Sequence, residues 1–216
     1  MIGDNIIIKP EYYATARELL HHLGKENLLA PDTRYVLGIG GESGSGKSVT
    51  ATCLQEVMQQ EGISSVILHQ DDYFHLPPRS NHEARVRDIN HVGKQEVDWE
   101  KLQASVNAFR EGNEVHSKPI VYYQQNNILA EIVYFKTIQV LIVEGTYVLD
   151  LEGLQAKIFM DRDYIQTREQ RIARGRENYS EFMEQILHIE HQLIRPMREQ
   201  ADIVILEDYS LAVKPH

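Results

Sequence analysis

One cysteine, Cys53, is all that 216 residues contain, so an internal disulfide framework and a cysteine-rich zinc site are excluded. Such sparing use of cysteine fits a reducing compartment, and a cytoplasmic location is expected. Long hydrophobic runs are missing too, since nothing approaches the roughly 20 apolar residues that span a bilayer. Met1–Lys9 has no basic stretch leading into an apolar core, so no signal peptide is expected there. Positive charge is also scarce: 22 Lys and Arg against 32 Asp and Glu give a net charge of −10. That balance disfavours nucleic acid and anionic membrane as partners, although a local basic cluster can still hold a small polyanion. Low-complexity tracts and internal repeats are absent. What remains is 42% hydrophobic and 25% charged, a globular composition long enough to bury a core in one domain.

The pattern along the chain alternates. Glu11–Leu23 reads as an amphipathic helix stopped by Gly24. Short apolar runs at Tyr35–Ile39, Ser65–Leu68, Val140–Val143, Ile158–Met160 and Ile203–Leu206 read as buried strands. Helices are expected at Lys47–Gln60, Trp99–Arg110, Ile165–Arg174 and Ser180–Gln200. Residues 73–97 are polar and read as a long irregular loop, the kind that is functional or disordered. Lys118–Tyr123 and Ile128–Phe135 read as a hairpin. Strands alternating with helices predict an α/β fold with a mostly parallel sheet flanked by helices. Ligands then gather at the carboxyl ends of the strands, where Gly40, Asp71, Glu144 and Asp161 fall.

Gly41-Glu42-Ser43-Gly44-Ser45-Gly46-Lys47-Ser48 matches G-x-x-x-x-G-K-[ST] at every fixed position. Glycines let the backbone curl so that its N–H groups converge on phosphate oxygens, and the helix opening through Val49 adds its positive end. Lys47 would bridge the β- and γ-phosphates, and the Ser48 hydroxyl would ligate Mg²⁺. The cofactors expected are therefore ATP and Mg²⁺. The dinucleotide fingerprint fails, because Ser43 stands where its third glycine is needed. No N-K-x-D base-reading motif is present, and Asp150-Leu151-Glu152-Gly153 reads as a chance match to D-x-x-G.

The phosphate loop, a strand running into Gln70-Asp71-Asp72-Tyr73-Phe74, a strand ending Val143-Glu144-Gly145 and the segment Ala173-Arg174-Gly175-Arg176 follow one another in order. From about Tyr35 to Leu206 the chain closely resembles the uridine kinase and phosphoribulokinase family of P-loop small-molecule kinases. The resemblance implies transfer of the ATP γ-phosphate to a hydroxyl of a small nucleoside-like or sugar-like molecule. It implies a P-loop NTPase fold with a small β-hairpin insertion at about 113–136 and an Arg-rich lid at about 162–178. Residues 1–30 would be an N-terminal helical extension and 31–216 a single kinase domain. Asp71 matches the family's catalytic aspartate, which orients the hydroxyl, accepts its proton and lies close to the metal. Asp72 is the adjacent candidate; side chains that alternate across a strand end would let only one of the two face the acceptor. Glu144 takes the place of the carboxylate that supports Mg²⁺. Arg174 and Arg176 are expected on the transferring phosphoryl, and Arg168 near the adenine or in a local salt bridge.

The same resemblance leaves the acceptor open. The family reads its nucleoside with an Asp-His-Pro segment and with a Tyr and a His on the hairpin. This chain has Asn90-His91-Val92 and Tyr122 followed by Gln124-Gln125-Asn126-Asn127. Asp72, Tyr73, His91 and Tyr122 are the candidate acceptor residues. Arg79, Arg85, Arg87 and Lys94 could instead meet an anionic acceptor, so a phosphosugar or a vitamin precursor is the alternative substrate. A regulator that binds nucleotide without catalysis is the alternative of another class. His188 and His191 are poor metal candidates, with no further ligand near in sequence. A homo-oligomer assembled through the hairpin is an open expectation.

Overall fold

The computed structural model describes residues 8–30, 33–174 and 180–214. Six strands form the central sheet: β1 (Tyr35–Gly41), β2 (Ser65–His69), β5 (Val140–Gly145), β6 (Ala156–Met160), β7 (Ile203–Ile205) and β8 (Leu211–Val213). A separate antiparallel hairpin joins β3 (Val115–Tyr122) to β4 (Asn127–Tyr134). The sheet order is β2-β5-β1-β6-β7-β8, and every pair is parallel except β7 with β8. β5 is buried along its whole length, and β1 everywhere beyond Tyr35, as the unbroken apolar runs require of strands covered on both faces.

Around the sheet lie α1 (Pro10–Leu23), α2 (Lys25–Leu28), α3 (Lys47–Gln60), α4 (Pro78–Arg87), α5 (Trp99–Arg110), α6 (Arg168–Arg174) and α7 (Glu181–Ile194). The pleat sends alternate strand residues to two cores. Leu37, Ile39, Ile142 and Ile158 meet Leu19 and Leu20 of α1 and Leu54 and Met58 of α3 on one face. Val36, Leu141 and Val143 meet Leu102, Val106 and Phe109 of α5 on the other. α1 starts with Pro10 in its first turn and ends on Gly24 in the left-handed region, φ 76°.

Three expectations are corrected. Residues 73–97 are not a structureless loop: they carry α4 and 3-10 turns at Ile89–His91 and Lys94–Glu96. Pro78 supplies the pre-set φ that opens α4, and Asn81 is the helix's single buried residue, so no apolar stripe marks it in the sequence. The helix expected over Ser180–Gln200 is α7 followed by a 3-10 turn, Arg195–Gln200, because Pro196 cannot donate a backbone hydrogen bond. β8 is an additional, half-exposed edge strand of three residues, too short to read by periodicity.

Parallel register aligns the strand ends. Glu144 of β5 lies beside both Ile39 of β1 and His69 of β2, and Gly41 lies beside Met160 of β6. Phosphate loop, Asp71, Glu144 and Asp161 therefore share one edge of the sheet.

Candidate active site

β1 ends on Gly41, the loop runs over Glu42–Gly46, and α3 begins at Lys47. Gly44 has φ 79°, and a Cβ there would meet Arg171 Cγ at 2.6 Å, so this position needs glycine twice over. Lys47 Nζ donates to Glu42 O at 2.8 Å, folding back across the loop. Thr167 Oγ1 donates to Ser43 O at 3.2 Å and ties the loop to the segment before α6. Ser45 Oγ is buried with no hydrogen-bond partner among the described residues. Gly46 also has positive φ, and Val49 is buried in the first turn of α3. A curled glycine backbone, a lysine and a helix start fit a polyphosphate.

Ser48 Oγ donates to Glu144 Oε1 at 3.2 Å, and His69 Nδ1 lies 2.6 Å from the same oxygen. Burial alone would raise the Glu144 carboxyl. The His69 hydrogen bond and charge, with Lys47 and Ser48, outweigh it and hold the group below the ordinary carboxylate range. Glu144 is therefore an anion at neutral pH although it is almost fully buried. A hydroxyl and one ionised carboxylate are hard oxygen donors that fit a magnesium ion sharing its remaining positions with phosphate and water. Among the described residues no cluster of three His, Cys, Asp or Glu makes an all-protein metal cage.

Glu42, the loop's second residue, is buried and bonded on both oxygens. His191 Nδ1 of α7 lies 2.7 Å from Oε1, and Tyr164 N donates to Oε2 at 2.7 Å. Burial pushes Glu42 up, and the His191 and Tyr164 bonds only partly offset this. The phosphate loop is thus strapped to α7 by a side-chain hydrogen bond.

A cleft of about 650 Å³ opens beside the loop. Ser43 and Asp71 line its donor side, Asn81 and Arg85 of α4 and Glu190 of α7 its far side, and Tyr123 its hairpin side. Asp71 belongs to a 3-10 turn, Gln70–Tyr73, rather than to a strand end. In such a turn successive side chains point about 120° apart. Asp72 is accordingly buried and turned to the hairpin, accepting from Lys118 Nζ at 3.2 Å and Val121 N at 3.0 Å. Tyr73 is buried and donates to Ser105 Oγ at 2.9 Å. His91 Nε2 lies 3.2 Å from Asn81 Oδ1, while Asn90 is exposed and donates to Asp88 Oδ1. Val121 and Tyr123 line the cleft and Tyr122, between them, does not. Of the candidate acceptor residues, Asp72, Tyr73, His91 and Tyr122 are not among the residues that line this cleft, whose hairpin tyrosine is Tyr123.

The arginines divide. Arg162 is buried and donates to Tyr209 Oη at 2.5 Å, its guanidinium 5.2 Å from that ring's centre. Arg171 lays its stem over Gly44 and donates to Tyr164 O at 2.8 Å. Arg168 is exposed at the start of α6 and Arg174 ends it. Arg176 lies outside the described residues.

The description "Phosphoribulokinase / Uridine kinase family" matches residues 36–207. The chain belongs to this family. It is 30% identical over 191 residues to the uridine kinase of Macrococcus caseolyticus (strain JCSC5402), covering 82% of this chain and 90% of that one. It is 30% identical over 194 residues to the bifunctional alpha-galactosidase/sucrose kinase AgaSK of Mediterraneibacter gnavus. That match covers 83% of this chain and spans 21% of the longer relative. The fold is also that of a solved structure described as a possible uridine kinase from Bacillus stearothermophilus, with TM-score 0.66 and 18% identity, covering 90% and 98% of the two chains. The members are kinases, and a small-molecule substrate goes with the family. Among the described residues no helix is long and apolar enough to cross a membrane.

Sequence reasoning missed Glu42, His69, His191, Tyr123 and the Arg85–Glu190 pair. His69 had a readable signal, being the last residue of a strand whose neighbour ends in Glu144. Arg85 and Glu190 are 105 residues apart and Glu42 and His191 are 149 apart, so these pairs left none.

Proposed function

We propose that the protein transfers the γ-phosphate of ATP, with Mg²⁺, to a hydroxyl of a small neutral nucleoside-like or sugar-like molecule. The observation that carries this reading is Asp71, a carboxylate at the meeting point of the phosphate loop and the cleft. Backbone N–H groups of 41–48 and Lys47 would hold the triphosphate, and Ser48 and Glu144 would hold the ion. Magnesium in that place supplies charge neutralisation of the phosphate oxygens. Asp71 orients the acceptor hydroxyl and takes its proton as the new P–O bond forms. Arg168, Arg174 and Arg176 would close on the phosphoryl group as a lid and exclude water.

Neutrality of the acceptor follows from where the loop cations are spent. Arg85 is paired with Glu96 and Glu190, and Lys94 with Asp150. Arg79 donates to Gln124 O and Arg87 to Glu83 O. A phosphosugar would find no cation uncommitted to a protein oxygen among these four. AgaSK, by its name a sucrose kinase, extends the reading from nucleosides to sugars.

The test is ADP release in a panel of nucleosides and sugars, with wild type and Asp71→Asn. Turnover with the best acceptor should fall about 10²–10⁴-fold in the variant while ATP affinity is kept. Near-normal turnover of Asp71→Asn, or no acceptor-dependent ADP from the wild type, would overturn the reading.

A further inference from the structure

Glu42 is out of keeping with a loop that binds a polyphosphate. A carboxylate there repels the ligand, and burying one is costly unless its bonds serve the fold or the site. Its side chain is 3% exposed and is bonded to two other segments. Oε1 meets His191 Nδ1 of α7 at 2.7 Å, and Oε2 accepts from Tyr164 N, ahead of α6, at 2.7 Å. The backbone of the same residue meets the phosphate lysine, since Lys47 Nζ donates to Glu42 O at 2.8 Å. One residue thus touches the lysine that would hold the triphosphate, the segment leading into α6, and α7.

α7 is the element for which this contact matters most. Met183, Ile186, Leu187 and Glu190 of α7 line the cleft that Asp71 also lines. His191 comes next, one helical turn beyond Leu187. Ile194, at the end of α7, joins a main core beside Met197 and Ala201. Met183 and Ile186 instead pack with Val92 in a small separate cluster. The cleft-lining stretch is therefore placed by contacts apart from the two cores that cover the sheet, and the bond at His191 ties it to the loop. The Tyr164 ring lies 5.6 Å from the His191 ring at 62°, so the histidine is seated by the same segment that bonds Glu42. Thr167 Oγ1 on Ser43 O and Arg171 Nη2 on Tyr164 O hold that segment against the loop.

We infer that His191, acting through Glu42, is a positioning residue that couples the phosphate loop to the acceptor wall. A triphosphate on the loop engages Lys47 and the loop amides, which fixes the backbone at Glu42. The Glu42 side chain passes that constraint to His191, and α7 holds the cleft wall in place beside the transferring phosphate. Nucleotide binding thereby completes the acceptor cleft, and by linkage a bound acceptor tightens the nucleotide. The inference rests on the kinase reading above and goes beyond it in naming how the donor side prepares the acceptor side.

The experiment is amide hydrogen exchange read by mass spectrometry, with and without Mg²⁺ and the non-hydrolysable ATP analogue AMP-PNP. The proteins are wild type, His191→Leu, His191→Ala and His191→Asn. Leu keeps bulk against Tyr164 and a high helix propensity while removing the bond, and Ala removes both bulk and bond. The His191 side chain is 30% exposed, so water can take its place on Glu42 and the fold should hold in both. Asn brings an N–H back close to the place of Nδ1. In the wild type the analogue should slow exchange in both 41–48 and 181–194, by about tenfold in the helix, a usual size for coupling between sites. In His191→Leu and His191→Ala the loop should still be protected, and the analogue-dependent protection of the helix should fall below about twofold. His191→Asn should recover it. A merely structural bond would alter α7 equally with and without nucleotide, so the difference between the two states discriminates. Wild-type protection of the loop alone, undiminished helix protection in Leu or Ala, or no recovery in Asn overturns the coupling while the kinase reading stands. If the analogue protects neither segment of the wild type, both fall.

Discussion

Asp71 and Asp72 are neighbours with opposite duties. Asp72 is 1% exposed and held between Lys118 Nζ and the Val121 amide, so it fastens the 70–73 turn to the hairpin. Lys118 is 7% exposed and also meets Glu131 at 2.9 Å on the hairpin surface. Removing Asp72 leaves a buried ammonium with the Pro119 carbonyl and the exposed Glu131 carboxylate as its partners. Asp72→Ala should cost about 3 kcal/mol, the low end for breaking a buried ion pair. Urea unfolding checks this: a midpoint equal to wild type would show that Asp72 is not the fastener. The sequence does place two carboxylates at this point. It assigns them by strand alternation, whereas the 3-10 turn is what separates them.

At the scale of elements, the turn bearing Asp71 is located by contact with β5. Gln70 is fully buried, accepting from Tyr147 N at 2.9 Å and donating to Thr146 Oγ1 at 3.0 Å. It fits only because the facing residue is Gly145, where a Cβ would fall on Gln70 Cβ. Gly145→Ala should push the turn and its aspartate away from the loop. A displacement near 1 Å at a reacting group costs about 10²-fold in turnover. Single-turnover kinetics should show that loss with ATP affinity retained; unaltered kcat would mean the turn absorbs the methyl group elsewhere. α4 teaches the complementary lesson about legibility. Its sequence is polar and carries no apolar stripe, so it reads as loop. What holds it is the Arg85 and Asn81 attachment to Glu96, made 11 and 15 residues away. By contrast α3 and α5 are readable to the residue, because each has a buried apolar face and a clear stop.

Across the whole molecule, the strand-end edge concentrates buried or paired acids whose titration differs in sign. Burial raises Asp161 at the end of β6, but hydrogen bonds and charges from Arg198 and Arg195 outweigh it and hold the group below its ordinary value. A lowered folded-state pKa contributes stability that is present above the unfolded value, about 3.9, and lost as pH falls through the folded one. Glu42 is the opposite case: its raised pKa means that ionising it costs stability at neutral pH, a cost relieved on acidification. Urea stability measured from pH 6 down to about 2.5 should therefore decline below about pH 4, and Asp161→Asn should flatten that decline. Equal slopes in the two proteins would remove Asp161 from the account.

The sequence by itself determined the fold class, the phosphate loop and the order of the strand-end acids. Those features rest on local signals: apolar runs of strand length, glycine spacing and helix stops. It also carries the phosphate-binding signature whole, because that motif is contained in eight consecutive residues. Only the tertiary structure decided which residues line the cleft beside the loop. Asp71, Arg85, Tyr123 and Glu190 come from four separate segments, and their meeting depends on how α4, the hairpin and α7 pack against the sheet edge. The physical reason is range. A phosphate is held by backbone geometry that neighbours in sequence impose on one another, whereas an acceptor is read by side chains that only folding brings within hydrogen-bond distance.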